Sequence, residues 1–248
     1  MRVKSEQPQS EHMARKPRLY LPDHPHLLAH RTEPGLYGFL SADDYKSWLH
    51  FLGEAAEKTG CRINGYSLVL NQINLLLVPA NTQSITQCMR ILNCRYTQWF
   101  NTRRKRKGPL WSSRYQCIAV EQGHAFLDVL SCIEDRPREL GLATTPEMYP
   151  WSSYRHHARR ELSSLIEESP SYQRLGSTGG SRALAYQRWF RGYRDRLGPS
   201  TLTAHLRSGT PYGSLTFQSS VEAMTSGRLE DETLTLKPRK RFTSNPRS

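Results

Sequence analysis

The chain lacks any pair of cysteines at the spacing of a metal knuckle or a redox couple. Its five cysteines, Cys61, Cys88, Cys94, Cys117 and Cys132, are odd in number and scattered. That pattern argues against a disulfide framework or a zinc ribbon and reads as free thiols in a reducing compartment. No run approaches the roughly 18 apolar residues that a membrane-crossing helix needs. The first residues, with Glu6, Gln7, Gln9 and Glu11, lack the apolar core of a secretion signal. A cytoplasmic location is the expectation. Glycine-rich turns of the dinucleotide-binding kind are missing between the strand-like and helix-like stretches, which argues against a doubly wound fold. Acidic charge is also scarce, with 22 Asp and Glu against 35 Lys and Arg and a formal net charge of +13. Such an excess favours a polyanionic partner.

What is present suffices for one principal domain and a smaller appendage in 248 residues. Residues 1–12 are polar and are expected to form a disordered tail before Met13. Leu27 to His30 reads as a strand closed by turn residues. In SADDYKSWLHFLGEAAEKTG, Ser41 caps a helix with Asp43 and Asp44 in its first turn. Tyr45, Trp48, Leu49, Leu52 and Ala56 follow at helical spacing, and Gly60 stops it. Ile63 to Leu70 and Ile73 to Val78 are strand-like, the second almost wholly apolar, as a central strand should be. A long helix opens at Ser84, with Ile85, Met89, Leu92, Tyr96, Trp99 and Phe100 on one face, and ends in a cationic run. Arg114 to Val120 reads as a strand, and Ala125 to Ile133 as a helix cut off before Pro137. This order predicts an α+β fold, an antiparallel ferredoxin-like sheet with helices packed on it. The expected domain occupies residues 13–160, followed by a Ser/Glu/Gly-rich linker over 161–181. A small helical basic module at 182–227, with a basic aromatic helix over 183–197, and a polar basic tail at 228–248 complete the chain.

Between Arg95 and Arg114 stand seven basic residues, Arg95, Arg103, Arg104, Lys105, Arg106, Lys107 and Arg114, and no acidic one. Tyr96, Trp99, Phe100, Trp111 and Tyr115 are interleaved with them. Cations neutralise phosphates, and aromatic faces stack on unpaired bases. Tyr96, Trp99 and Phe100 lie at helical spacing and suit a core. Trp111, beside Gly108 and Pro109, is open to either role. The candidate nucleic-acid-binding residues are Arg31, Arg90, Arg95, Arg103, Arg104, Lys105, Arg106, Lys107, Trp111 and Arg114.

Several segments, taken in order, resemble the REP-associated tyrosine transposases, a branch of the single-tyrosine HUH transposases. They are ARKPRLYLP with the later His30-Arg31, GYSLVLNQINLLLVP, RILNCRYTQWFNTRRKRKGPLWSSRYQCIAV, and CIEDRPRELGLATTPEMYPWSSYRHH, together spanning about residues 13–158. The resemblance implies a transposase IS200-like domain acting on single-stranded DNA beside hairpins. It implies two histidines and a third polar ligand holding Mg²⁺ or Mn²⁺ on the scissile phosphate, and a tyrosine that attacks to form a phosphotyrosine link. Those positions differ here. The His-x-His pair reads Gln72-Ile73-Asn74, the tyrosine position is Cys132, and the third ligand position is Arg136.

Neutral amides are weak ligands for a hard cation, so no metal, no cofactor and no catalytic residue are expected, and Cys132 reads as a small thiol filling a tyrosine's place. Arg136 is placed to hold a phosphate where the cation would sit. The spacing of His24, His26 and His30, and of His156 and His157, matches no standard ligand set. The expected function is DNA binding of hairpin or single-stranded type without cleavage. Two alternatives stand beside it. One is an active transposase using Gln72, Asn74 and His26 or His30 with Tyr115 or Tyr154 as nucleophile; the other is an RNA-binding basic protein. Oligomeric state is not legible in the sequence.

Overall fold

The computed structural model describes residues 20–112, 114–198 and 200–235. Four strands, β1 (His26–Arg31), β2 (Cys61–Val69), β3 (Gln72–Pro79) and β4 (Gln116–Ala119), form one antiparallel sheet in the order β2-β3-β1-β4. Between them run α1 (Ala42–Thr59) and α2 (Ser84–Arg103), and α3 (His124–Glu139) follows β4. The β-α-β-β-α-β order with this strand arrangement is ferredoxin-like, as the sequence predicts.

Local chemistry explains the ends of α1. The Ser41 and Leu40 N–H groups both donate to Asp44 Oδ2, at 2.8 and 2.7 Å. Gly60, in the left-handed region at φ 66°, gives its N–H back to the last turn. Glycine adopts that conformation without the steric cost of a Cβ.

Side-chain alternation along the strands divides the apolar residues between two layers. Leu28, Ile63, Leu68, Ile73, Leu75 and Leu77 meet Trp48 and Leu52 of α1 and Ile85, Met89, Leu92 and Tyr96 of α2. Leu27, Leu76 and Ile118 point the other way, toward Phe126, Leu127, Leu130 and Ile133 of α3. Gly65 allows the close crossing of β2 and α3, since a Cβ there would stand 2.4 Å from Leu130 Cδ1.

Three expectations are corrected. The third helix continues through Pro137 to Glu139, because near the helix end the ring forfeits a single backbone bond. Asp135 and Arg138 meanwhile brace that turn through paired bonds of 2.7 and 2.6 Å. Residues 161–181 contain α5 (Pro170–Gln173), and α6 (Gly179–Arg191) begins inside the same stretch. Its Thr178 hydroxyl accepts from the Ser181 N–H. The helix expected over 183–197 breaks at Gly192 into α6 and α7 (Tyr193–Arg196).

The C-terminal helices share a core with α3. Tyr172, Tyr186, Phe190 and Tyr193 pack in the same cluster as Phe126, Leu130 and Ile133. Buried acids of α3 tie them down. Glu134 accepts from Ser153 Oγ at 2.5 Å and Tyr186 OH at 2.7 Å, with His157 Nδ1 2.7 Å away. Asp135 takes Tyr193 OH at 2.6 Å and Arg194 at 2.8 Å. Asp128 takes Trp189 Nε1 and Arg196 Nε, both at 2.9 Å. The helix α4 (Tyr154–Arg159) lies between these groups, and α8 (Thr201–Ser208) and α9 (Leu215–Thr235) complete the described chain. The disordered-tail expectations fall on residues 1–12, which lie outside the described residues, and on 228–248, of which 236–248 do; residues 228–235 are corrected from tail to helix, as the last turns of α9.

Candidate nucleic-acid interface

Gln72 and Asn74 project from the same face of β3 as Leu76, the face that α3 covers. The strand register sets Asn74 opposite Ala29 of β1 on one side and Ser67 of β2 on the other. Gln116 lies opposite Ala29, and Ser152 forms a bridge with Ser67. A row of Gln116, Ala29, Asn74, Ser67 and Ser152 therefore crosses the sheet. Arg31 stands one step outside it, opposite Gln72.

The amides of this face are engaged with one another. Arg31 Nε donates to Gln72 Oε1 at 3.2 Å, and Gln72 Nε2 donates to Asn74 Oδ1 at 2.8 Å. Both oxygens that could ligate a hard cation are thus occupied by donors, one of them from a guanidinium whose charge repels metal. The residues do not fit a divalent cation. Among the described residues, no group of three or more His, Cys, Asp or Glu side chains is placed to hold a metal ion.

The histidines do not complete such a site. His26 and His30 alternate with Leu27, Ala29 and Arg31, which puts them on the opposite face of β1 together with Leu28. His30 Nε2 lies 2.9 Å from the Ser112 carbonyl, and its ring stacks on Trp111. His26 Nε2 accepts from the Leu21 N–H at 3.2 Å. His156 packs at 5.0 Å from the His157 ring, and burial pulls its pKa below the ordinary histidine value.

Cys132 is a poor nucleophile. Burial, with the Glu139 carboxylate adding to it, pushes the thiol up to about 12, against the opposing pull of Arg136. A neutral thiol at ordinary pH leaves little thiolate to attack anything. Arg136 points along its own helix to Glu139, with Nη1 to Oε2 at 3.2 Å. The phosphate-holding role expected of Arg136 thus meets a carboxylate neighbour. Tyr154 is buried, and burial and nearby carboxylates raise its pKa. Tyr115 shares a 2.8 Å hydrogen bond with Tyr20 OH.

The cationic segment divides in a way the sequence does not reveal. Arg95 pairs with Glu54 and lies over the Phe51 ring. Arg103 pairs with Asp43 at 2.8 Å, and Arg104 reaches the fully buried Asp44 at 2.5 Å. Arg106 folds back to Asn101 Oδ1 and the Pro109 carbonyl at 2.9 and 2.6 Å. Acids of α1, remote in sequence, thus neutralise much of a run that contains no acid of its own. Trp111 is corrected from base contact to core. It is 6% exposed, stacks on His30 and lies against Gly38, where an added Cβ would meet its ring at 3.3 Å.

Among the described residues, Arg31, Arg90, Lys105, Lys107 and Arg114 are exposed and pair with no carboxylate. Four of them gather at one end of the sheet. The Ser112 N–H donates to the Arg31 carbonyl at 2.9 Å and the Glu33 N–H to that of Leu110 at 3.0 Å. These bonds lay the segment bearing Arg114 beside Arg31 and bring the loop with Lys105 and Lys107 to the same end. Arg90 lies in the first half of α2.

Comparison with known proteins finds likenesses over part of the chain. Residues 37–135 match the family described as transposase, IS200-like. The structure resembles that of a REP-associated tyrosine transposase bound to a REP hairpin, with a TM-score of 0.53 and 13% identity, over 64% of this chain and 93% of that one. A putative transposase from Deinococcus radiodurans R1 is 17% identical, with a TM-score of 0.35, over 50% of this chain and 98% of that one. No curated protein matches the chain in sequence.

Proposed function

We propose, from the match of residues 37–135 to the IS200-like transposase family, that this protein binds hairpin or single-stranded DNA and does not cut it. The observation that carries the reading is the bond chain Arg31 to Gln72 to Asn74, which occupies the ligand positions implied by the family resemblance with a guanidinium and two mutually satisfied amides. Phosphodiester cleavage needs charge neutralisation at the phosphate and a positioned nucleophile. Neither the amide pair nor the neutral thiol of Cys132 supplies them.

Binding needs less than cleavage. A net charge of +13 draws a polyanion from a distance, and Arg31, Lys105, Lys107 and Arg114 offer uncompensated cations at one end of the sheet. One transposase whose structure this chain resembles is bound to a REP hairpin, which supports a hairpin as the ligand. The domain at 13–160 and the basic C-terminal region at 182–227 act in this reading as one body, because α3 and α6 share a core.

Gel shifts with a labelled DNA hairpin across a salt series test the proposal. Each lost phosphate contact should lower the slope of log affinity against log salt by roughly 0.7–0.9, so Lys107→Ala should flatten it by about that amount. Equal or tighter binding of an RNA hairpin of the same sequence would favour the RNA-binding alternative instead.

A further inference from the structure

Arg95, Gln98, Trp99, Thr102 and Arg103 run along one face of α2 at helical spacing and, with Phe51 of α1, line a groove of about 390 Å³. That size suits a small planar group. Helical spacing assigns Trp99 to the core, yet Trp99 and Phe51 are only half-buried, packed on the outside of the layer that meets the sheet. Two ion pairs tie the helices together beside them, Arg95 with Glu54 and Arg103 with Asp43.

The lining favours a nucleobase. Arg95 lies over the Phe51 ring, 4.7 Å from its centroid, and Arg103 over that of Trp99 at 5.5 Å. A guanidinium is flat, and bases stack on its plane as they do on aromatic rings. Glu54 and Asp43 already offset both arginine charges, so a phosphate gains little here, whereas a base is neutral. Gln98 and Thr102 stand exposed on the same face. An amide and a hydroxyl both donate and accept, which matches the mixed edge of a base and would be wasted on an aliphatic side chain.

Position supplies the rest. Arg103 is the last residue of α2, and the chain passes from it into the loop that carries the exposed Lys105 and Lys107. A strand whose phosphates lie on those lysines runs past the end of the groove.

We infer that the groove between α1 and α2 takes one unpaired nucleobase from the strand beside the hairpin, stacked against Trp99 and Phe51 and edged by Gln98 and Thr102. The inference rests on the DNA-binding reading and deepens it with a base contact on the side of the sheet opposite Gln72, Asn74 and Cys132.

The test uses the full chain in EDTA and a labelled DNA hairpin with a short single-stranded extension on each side, along which one abasic position is moved. Loss of the base at one position should lower wild-type affinity roughly tenfold. Trp99→Leu should lower affinity for the intact strand by a similar factor and remove the penalty at that position. Its salt slope should match that of the wild type, because no phosphate contact is lost. Phe51→Leu, on the other helix, should behave alike and decides the matter if Trp99→Leu does not fold. An abasic penalty that persists in the variants, or no penalty at any position, overturns the inference. Self-association lost in the variants with hairpin affinity unchanged would assign the groove to a second copy of the chain and overturn it too. If the wild-type chain shifts no hairpin, the DNA-binding reading falls on its own. The groove is then judged by titrating guanosine monophosphate and following the Trp99 indole N–H resonance. A saturable shift that disappears in Phe51→Leu upholds a base site, and a shift unchanged there, or none at all, refutes it.

Discussion

The two faces of the sheet handle charge in opposite ways. On the α1 and α2 side the layer against the strands is mostly apolar, and apart from the buried Asp44 at the start of α1, acids meet arginines outside it, as Asp43 and Glu54 do with Arg103 and Arg95. On the α3 side the acids lie inside: Glu134 and Asp135 are fully buried and each is held by several donors. Exposed ion pairs contribute little because water and salt screen them, whereas a buried carboxylate is costly to strand without its partners. The first face tolerates change in its exposed charges; the second ties the C-terminal helices to α3.

The sharpest way to break this contrast is Glu134→Ala. It leaves Ser153, His157 and Tyr186 without their shared acceptor and should cost about 3–5 kcal/mol, read as a lower denaturant midpoint. A loss near zero would show that the buried network is not what joins α6 to α3.

Alkaline pH gives the next effect. The thiol of Cys132 is raised to about 12 in the fold from an ordinary value of 9.0. A group whose folded pKa is raised stabilises the fold fully below its unfolded pKa and loses that contribution as pH rises through the folded value. Unfolding free energy should therefore decline from about pH 9 to about pH 12, and Cys132→Ser should make the decline shallower. Buried Tyr66, likewise raised to about 12 by burial and by the Glu134 and Glu161 charges, adds to the same window. A stability flat across this range would contradict the burial ascribed to both groups.

Asp43→Ala on the other face should do least. Asp43 and Arg103 are 59% and 50% exposed, so the change in stability should stay within about 0.5 kcal/mol in a denaturant melt. A large loss would mean that the α1 face carries its charges as the α3 face does.

Much of the fold was legible because it rests on periodicity. The almost unbroken apolar run of β3 and the helical spacing of Trp48, Leu52, Met89, Leu92 and Tyr96 declare their faces directly. Pro137 misled because its cost depends on how close the helix end lies and on the bonds of Asp135, which are tertiary. The cationic run misled for a similar reason: nothing near Arg103 or Arg104 in sequence announces Asp43 and Asp44, 60 positions away. Trp111 carried no periodic signal at all, and tertiary contacts with His30, Phe39 and Tyr96 place it in the core. The identities of Gln72, Asn74 and Cys132 were plain in the sequence, but their consequence was not. That Arg31 and the two amides satisfy one another emerges only from the pairing of β1 with β3.

The central claim is that a strand is held where none is cut. Incubating the purified chain with an end-labelled DNA hairpin in Mg²⁺ or Mn²⁺, and resolving the mixture on a denaturing gel beside a native gel shift, tests it most directly. The account predicts a shifted complex on the native gel, the same with EDTA as with metal, and full-length DNA free of protein on the denaturing one. A metal-dependent cleavage product or a covalent protein–DNA adduct that disappears on replacing a single side chain would contradict it.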